Sequence, residues 1–474
     1  MSVYITYSLA FESNDSDKAL GTIQNGLRRF VERLPFLSGE IACSSRPSHK
    51  LNQIEVRPLS PGHTEEESSM IQIRHHSRSM PLTGFATGCS LGIESSITSI
   101  LEDGFYRYPF VHLGEFKPLL RLQANNLLDG IILCMNFNHT AFDGVGMGQI
   151  VEALATCCRA KENEPFNFRT SLENEAAARK AIFQSAHIPQ PTVDVSPAYG
   201  VSEESIEETD EDKTGELTSV NIYLSADKLQ WLKEACNRDL KRMQAAKPGS
   251  LFVAFLSTQD VLNALIWLCI MQQSPDEEVS LLGIPISVRK RIQPAIADSY
   301  MGSAILFNPV HFVRADIPPE LPSIDATASS LPASYITLLT RIASMARQSL
   351  QAVDAQYTGR VVSKVCNARD WSQVVFQPPE LSISTILHTL LYEYNFGEGL
   401  GMLMSFDLPR MPYNRMFYVK PRRDLRFQKS SNVDAAPFEI NMSINARELE
   451  LLENNQLVRW AAIGALGTSA RAQL

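Results

Sequence analysis

The chain has 474 residues, 44% hydrophobic and 20% charged, which is ordinary globular material and too long for one compact core. Its net charge of -9 is set by residues Val201 to Glu216, where eight acidic residues stand against Lys213; the near-neutral remainder does not invite nucleic acid or an anionic membrane. The eight cysteines (Cys43, Cys89, Cys134, Cys157, Cys158, Cys236, Cys269 and Cys366) include no C-x-x-C pair and read as reduced core thiols, not as disulfides or zinc ligands.

The first residues show no basic stretch followed by a long apolar run, and no segment approaches the roughly 18 apolar residues of a membrane span, so a cytoplasmic protein is expected. Residues 3–11 alternate apolar and polar as a half-buried strand does. Ala19 to Arg33 then carries Leu20, Ile23, Leu27, Phe30 and Val31 at helical spacing, before a turn at Pro35. A further strand leads to a helix around Ser95 to Leu101. Leu119 to Gln123 and Gly130 to Phe137 read as two paired strands with a turn at Asn125 to Asp129. The apolar run ends in Asn138; Gly144, Gly146 and Gly148 break the chain, and an amphipathic stretch follows from Gln149 to Arg159.

Residues 160–217 lack a sustained apolar period, contain Pro189, Pro191 and Pro197, and finish in the acidic run, so they are predicted to connect two halves. Alternation returns in Val220 to Leu224, and Ser225 opens a helix through Leu240. Ser257 and Thr258 precede an almost wholly apolar helix that includes Trp267. A helix at 335–354, strands and turns from Leu381 to Lys420, a strand at Val433 to Ser443 and a helix at Ala446 to Ala461 complete the chain. Two comparable halves of mixed strands and helices argue for two α/β layered domains facing each other, at residues 1–190 and 218–474, with an acidic crossover linker at 191–217. Neither a G-x-G-x-x-G nor a G-x-x-x-x-G-K-[ST] stretch occurs, so no dinucleotide or P-loop site is expected.

His139 is the most informative residue. A histidine delivered at the end of a buried strand, with Asp143 four residues on, is a candidate general base, because its ordinary pKa lies near the working range. The spacing alone is weak, since His-x-x-x-Asp arises by accident in chains of this length. His75 and His76 have no ligand partners at suitable spacing, and no third ligand joins His139 and Asp143, so no metal is expected.

Several phrases in order supply the missing context: Leu34 to Ile41, with Pro35 and Gly39; His139 to Gly144, an HxxxDG motif; Ser257 to Leu262 with Trp267 after it; Val288 to Arg291 with Pro294; and Tyr300 to Ala304. Leu391 to Gly399 is similar to a DFGWG signature, with Asn395 in place of the Asp and Glu398 in place of the Trp. Over its whole length the chain resembles the BAHD acyltransferase family, in particular a fungal branch related to trichothecene acetyltransferases. The resemblance implies two chloramphenicol-acetyltransferase-like domains with mixed sheets and an active-site channel between them. It implies a monomer that transfers an acyl group from acyl-CoA, acetyl-CoA in the first place, to a hydroxyl of a small specialised metabolite. CoA is then a cosubstrate, with no permanently bound cofactor.

Residue by residue, the resemblance implies His139 as base and Asp143 as a support paired with Arg289, Arg291 being the reserve match. Gly144 would allow a tight turn. Ser384, Thr385, Asn395 and Gly397 are possible oxyanion or CoA contacts, with Asn395 to Gly399 read first as a structural loop near the CoA mouth in which Asn395 hydrogen-bonds where Asp would; Lys241, Arg242 and Lys247 are possible contacts to CoA phosphates. Glu398, unable to donate while ionised, is expected to face solvent. The substitutions at 395 and 398 leave open a same-fold scaffold working as a CoA-independent cyclase or isomerase; a non-catalytic binding protein is disfavoured by the intact HxxxDG motif.

Overall fold

The computed structural model describes residues 2–44, 50–59, 69–80, 91–93, 110–111, 117–161, 168–186, 199–201, 217–247, 253–273, 279–318, 320–376, 379–408, 413–422 and 436–463. Its first elements in chain order are β1 (Ser2–Glu12), α1 (Ser16–Arg33), β2 (Glu40–Cys43), β3 (Ile54–Arg57), β4 (Ile71–His75), β5 (Leu91–Ile93), β6 (Phe110–Val111), β7 (Leu120–Leu127), β8 (Gly130–Asn138), α2 (Gly144–Arg159) and α3 (Leu172–Ser185). There follow β9 (Tyr199–Val201), β10 (Leu217–Leu224), α4 (Ala226–Ala246), α5 (Thr258–Gln273), β11 (Val279–Gly283), β12 (Pro285–Ser287), β13 (Ile305–Phe307), β14 (Val310–Val313), α6 (Ala333–Ala352) and α7 (Ala355–Asn367). The last are β15 (Val374–Phe376), β16 (Leu381–Thr385), β17 (Ser405–Asp407), β18 (Met416–Val419), β19 (Phe438–Asn445), α8 (Ala446–Asn454) and α9 (Gln456–Ala461).

The strand alternation read in the sequence sorts side chains onto two faces of a first mixed sheet, ordered β17-β1-β8-β7-β4 with β6 added on β1. Ile5, Tyr7, Leu9 and Phe11 of β1 and Ile131, Leu133, Met135 and Phe137 of β8 enter one core with the apolar stripes of α1 and α2. A second mixed sheet, β14-β11-β16-β18-β19-β10-β5, packs Val220, Ile222, Ile440 and Met442 on α5, whose residues from Asp260 to Met271 are all buried. The outcome is the expected two-domain α/β fold with a mixed sheet in each domain.

The halves are not separated at one point of the sequence, as the boundaries at 190 and 218 imply. Strand β17, from the second half, pairs with β1, and Leu391, Phe396, Leu400, Leu403 and Phe406 fill the first core. Reciprocally, β5 pairs with β10. The other face of each sheet is buried and carries polar side chains, Thr6, Ser8, Gln123, Asn125 and Asn136 on the first, beside an apolar cluster of Ala10, Leu127, Ile132 and Cys134, and Ser219, Asn221, Asn441 and Ser443 on the second. Asp407 of β17 joins them, accepting from Asn221 Nδ2 at 3.4 Å and pairing with buried Lys420.

The elements that differ from the sequence reading include α7, which it did not anticipate, and three more. α2 starts at Gly144, so the glycines lie inside the helix and do not break the chain before it. α3 forms within the expected connection, capped by Ser171; it buries only Glu175, Ala178, Ala181 and Ser185, too little apolar surface to print a period. The final helix is two, because Asn455 caps α9 through Leu457 and Val458 N–H. The helix expected around Ser95 to Leu101 and the acidic residues 202–216 lie outside the described residues.

Candidate active site

His139 follows β8, and the chain turns at once: Ala141 N–H and Phe142 N–H both donate to the Asn138 carbonyl, at 3.0 and 3.2 Å. The turn puts the Phe142 carbonyl 2.6 Å from His139 Nδ1. A carbonyl only accepts, so Nδ1 carries the hydrogen and Nε2 the lone pair. Burial holds the ring's pKa below the ordinary histidine value, against the opposing pull of the Phe142 carbonyl and of Asp143. The imidazole is therefore neutral and basic at Nε2 near neutral pH.

Asp143 has no exposure to solvent and accepts four hydrogen bonds. Arg289 Nη1 and Nη2 donate to Oδ2 and Oδ1 at 2.8 and 2.9 Å, Gly146 N–H caps α2 at 2.8 Å, and Ala304 N–H donates at 2.7 Å. Arg289, only 1% exposed, also donates to the Tyr300 and Gly302 carbonyls. Arg291 instead bonds the Leu350 and Val353 carbonyls, so the reserve match is set aside. Ser303 N–H donates to the Ala141 carbonyl at 2.8 Å, which ties the same loop directly to the histidine turn.

Gly144 occupies the first turn of α2, where a Cβ would lie 3.0 Å from Ile386 Cγ2. The tighter position is Gly146, which the sequence reading passed over as a chain breaker: a Cβ there would lie 1.8 Å from the Met301 carbonyl oxygen. The residue lets α2 touch the backbone of the loop Tyr300–Ala304, from the second half of the chain. Gly148 meets Thr389 in the same way, at 2.9 Å from its Cγ2. These contacts bring the end of β16 alongside the start of α2. Ser384 and Thr385 are half-buried there, with Thr385 Oγ1 accepting from Leu387 N–H at 3.3 Å.

Asn395 and Gly397 lie at the other end of α2. Arg159, the last residue of α2, donates to the Asn395 carbonyl, and a Cβ on Gly397 would lie 2.9 Å from Arg159 Cα. The sixteen residues of α2 span about 24 Å, so this loop sits a helix length from Asp143. Its role there is structural: Asn395 Oδ1 accepts from Gly397 N–H at 2.7 Å, as an aspartate would, and Gly397 and Gly399 have φ of +88° and +80°. Glu398 points outward, 80% exposed, paired with Lys18 at 2.8 Å.

Lys241, Arg242 and Lys247 lie at the exposed end of α4, where Arg242 pairs with Asp239 at 2.5 Å and donates to Thr337 Oγ1. Glu175 had no signal beyond an acidic residue in the first turn of an unpredicted helix; the structure buries it against Met301. Among the described residues no group of three or more His, Cys, Asp or Glu is placed to hold a metal ion, and no helix is long and apolar enough to cross a membrane.

A two-sheet α/β fold with a histidine on a turn beside a buried aspartate–arginine pair is the arrangement of a class, the HxxxD acyltransferases. The model of the Transferase family matches residues 108–436. The chain belongs to this family, the BAHD acyltransferases, and is a CoA-dependent acyltransferase of a small metabolite. It is 30% identical over 471 residues to the communesin N16 acyltransferase cnsK of Penicillium expansum, covering 97% of this chain and 94% of that protein. It is 27% identical to the fumigaclavine B O-acetyltransferase easN of Aspergillus fumigatus, covering 97% and 95%. Among solved structures, TRI101 of F. graminearum complexed with coenzyme A and deoxynivalenol has the same fold, with a TM-score of 0.69 at 19% identity over 98% of this chain and 96% of that one.

Proposed function

We propose that His139 is the general base for acyl transfer from acetyl-CoA to a hydroxyl of a small specialised metabolite, the two substrates meeting in a channel between the bodies. The observation that carries this reading is the Nδ1 contact with the Phe142 carbonyl, which leaves Nε2 as the basic atom. The acceptor hydroxyl loses its proton to Nε2 as its oxygen bonds the thioester carbonyl carbon. The tetrahedral adduct then expels the CoA sulfur, and the proton on Nε2 passes to the thiolate, so the ring ends neutral and no acyl-enzyme forms. Holding thioester and hydroxyl at one imidazole makes the step effectively intramolecular.

Asp143, Gly144 and Arg289 support the turn that aims His139. Ser384 and Thr385 are the candidate oxyanion donors, supported by the packing of their strand end on α2 at Gly144 and Gly148. Lys241, Arg242 and Lys247 remain candidates for the CoA phosphates. The buried polar faces of the two sheets support a channel lined for hydrogen bonding. A monomer in the cytoplasm is part of the same proposal; the described cysteines are free thiols, as suits a reducing compartment.

Transfer to oxygen follows the fumigaclavine B relative; a second reading, transfer to nitrogen, is favoured by the name of the communesin N16 relative. The test is release of CoA thiol from acetyl-CoA with fumigaclavine B as the first acceptor tried, then amine analogues. His139→Ala should lose about 10²- to 10⁴-fold in rate while still binding CoA. Near-full turnover by that variant refutes the assignment.

A further inference from the structure

We propose that Glu175, on the crossover helix α3, is a positioning residue for the transfer, holding the loop Tyr300–Ala304 that keeps His139 in its turn. The inference rests on His139 being the base. All five residues of that loop are tied: Tyr300 and Gly302 through their carbonyls to Arg289, Ser303 N–H to Ala141, Ala304 N–H to Asp143, and Met301 N–H to Glu175 Oε1 at 3.0 Å. Four ties come from the histidine turn, its aspartate and the arginine. The fifth comes from the crossover.

Glu175 is 1% exposed, and its Oε1 also accepts from Thr170 Oγ1 at 2.9 Å, while Oε2 is buried with no partner among the described residues. A carboxyl so placed is costly, and its neighbours in the first turn of α3, Glu173 and Asn174, lie in solvent at no such cost. Burial pushes its pKa up, against the hydrogen bonds from Met301 and Thr170 and the pull of Arg179, one turn on, and Arg289. The Met301 carbonyl, on the residue whose N–H Glu175 holds, is the atom a Cβ on Gly146 would strike. Displacing Met301 therefore frees the start of α2, and with it the Phe142 carbonyl that fixes the histidine tautomer.

The experiment compares Glu175→Met, which keeps volume and removes the acceptor, with Glu175→Gln, which keeps an acceptor at Oε1. Glu175→Met should lower kcat by about 10- to 100-fold, as a base displaced by an ångström does, with KM for acetyl-CoA within about threefold of the parent. The acid limb of its pH–rate profile should move further below the ordinary histidine value, because burial still lowers His139 while the Phe142 carbonyl that opposes it is loosened, and Asp143, the charged group acting on the ring, stays paired with Arg289. Glu175→Gln should restore both kcat and the limb. Parental kcat in folded Glu175→Met, or equal losses in both variants with an unmoved limb, overturns the proposal. If Glu175→Met does not fold, Glu175→Gln decides alone: a loss beyond about tenfold overturns it. His139→Ala run in parallel separates this failure from that of the base assignment, since only the latter leaves that variant active.

Discussion

Asp143→Ala is the most demanding test of the interdomain lock. The substitution removes four hydrogen bonds at once and leaves the Arg289 guanidinium, 1% exposed, without its counter-charge. Breaking a buried pair by removing one partner costs about 3–5 kcal/mol, and losing the helix cap about 1 kcal/mol. Because the bonds share one carboxylate, the two costs do not add fully, and about 4–5 kcal/mol is expected. At about 2 °C per kcal/mol for a body of roughly 200 residues, the variant should melt about 8–10 °C below the parent. The assay is thermal unfolding followed by circular dichroism, with Asp143→Ala/Arg289→Met beside the single variant. Removing both charges should recover about half of the loss, since an apolar replacement leaves no orphaned ion. An Asp143→Ala protein that melts with the parent, or a double variant no more stable than the single one, refutes the reasoning.

The acid limb of kcat/KM should lie below 6.5, because burial lowers the folded-state pKa of His139 and the base fails only when pH falls through that lowered value; a limb at or above 6.5 contradicts it. Gly146→Ala should lose stability and activity, although Ala in a helix normally gains about 1 kcal/mol over Gly, because its Cβ would meet the Met301 carbonyl at 1.8 Å. Gly144→Ala, facing only Ile386 Cγ2 at 3.0 Å, should be milder, and the two melting temperatures compared directly check the order. Glu398→Gln should change turnover by no more than about threefold, as the carboxylate is exposed and paired with Lys18. Thr385→Val should cost more than that; the opposite ranking in steady-state assays would give the carboxylate a chemical role.

Much of the site was legible because it is local. β8 announces itself by an apolar run ending in Asn138, and Asp143 and Gly144 follow His139 at fixed spacing. The partner Arg289, 146 residues away, was reached through resemblance of motifs and not through any periodicity. The glycines after Asp143 misled: glycine spacing reads as a broken chain, whereas at Gly146 it permits contact with the backbone of a loop distant in sequence. Where the loop of Asn395 and Gly397 packs was not legible, since order in sequence says nothing of which end of α2 a loop meets.

By itself, then, the sequence determined what short range can encode: strand alternation, capped helices, the histidine turn and the family to which its motifs belong. Tertiary structure decided the rest. Only folding shows that β17 and β5 cross between sheets, that Met301 lies on Gly146, and that an acidic residue in an inconspicuous helix, Glu175, holds the loop packed on the His139 turn. Such contacts join residues more than a hundred positions apart, and hydrogen bonds and packing at that separation leave no local pattern, because each is specified by geometry that exists only once both bodies have formed.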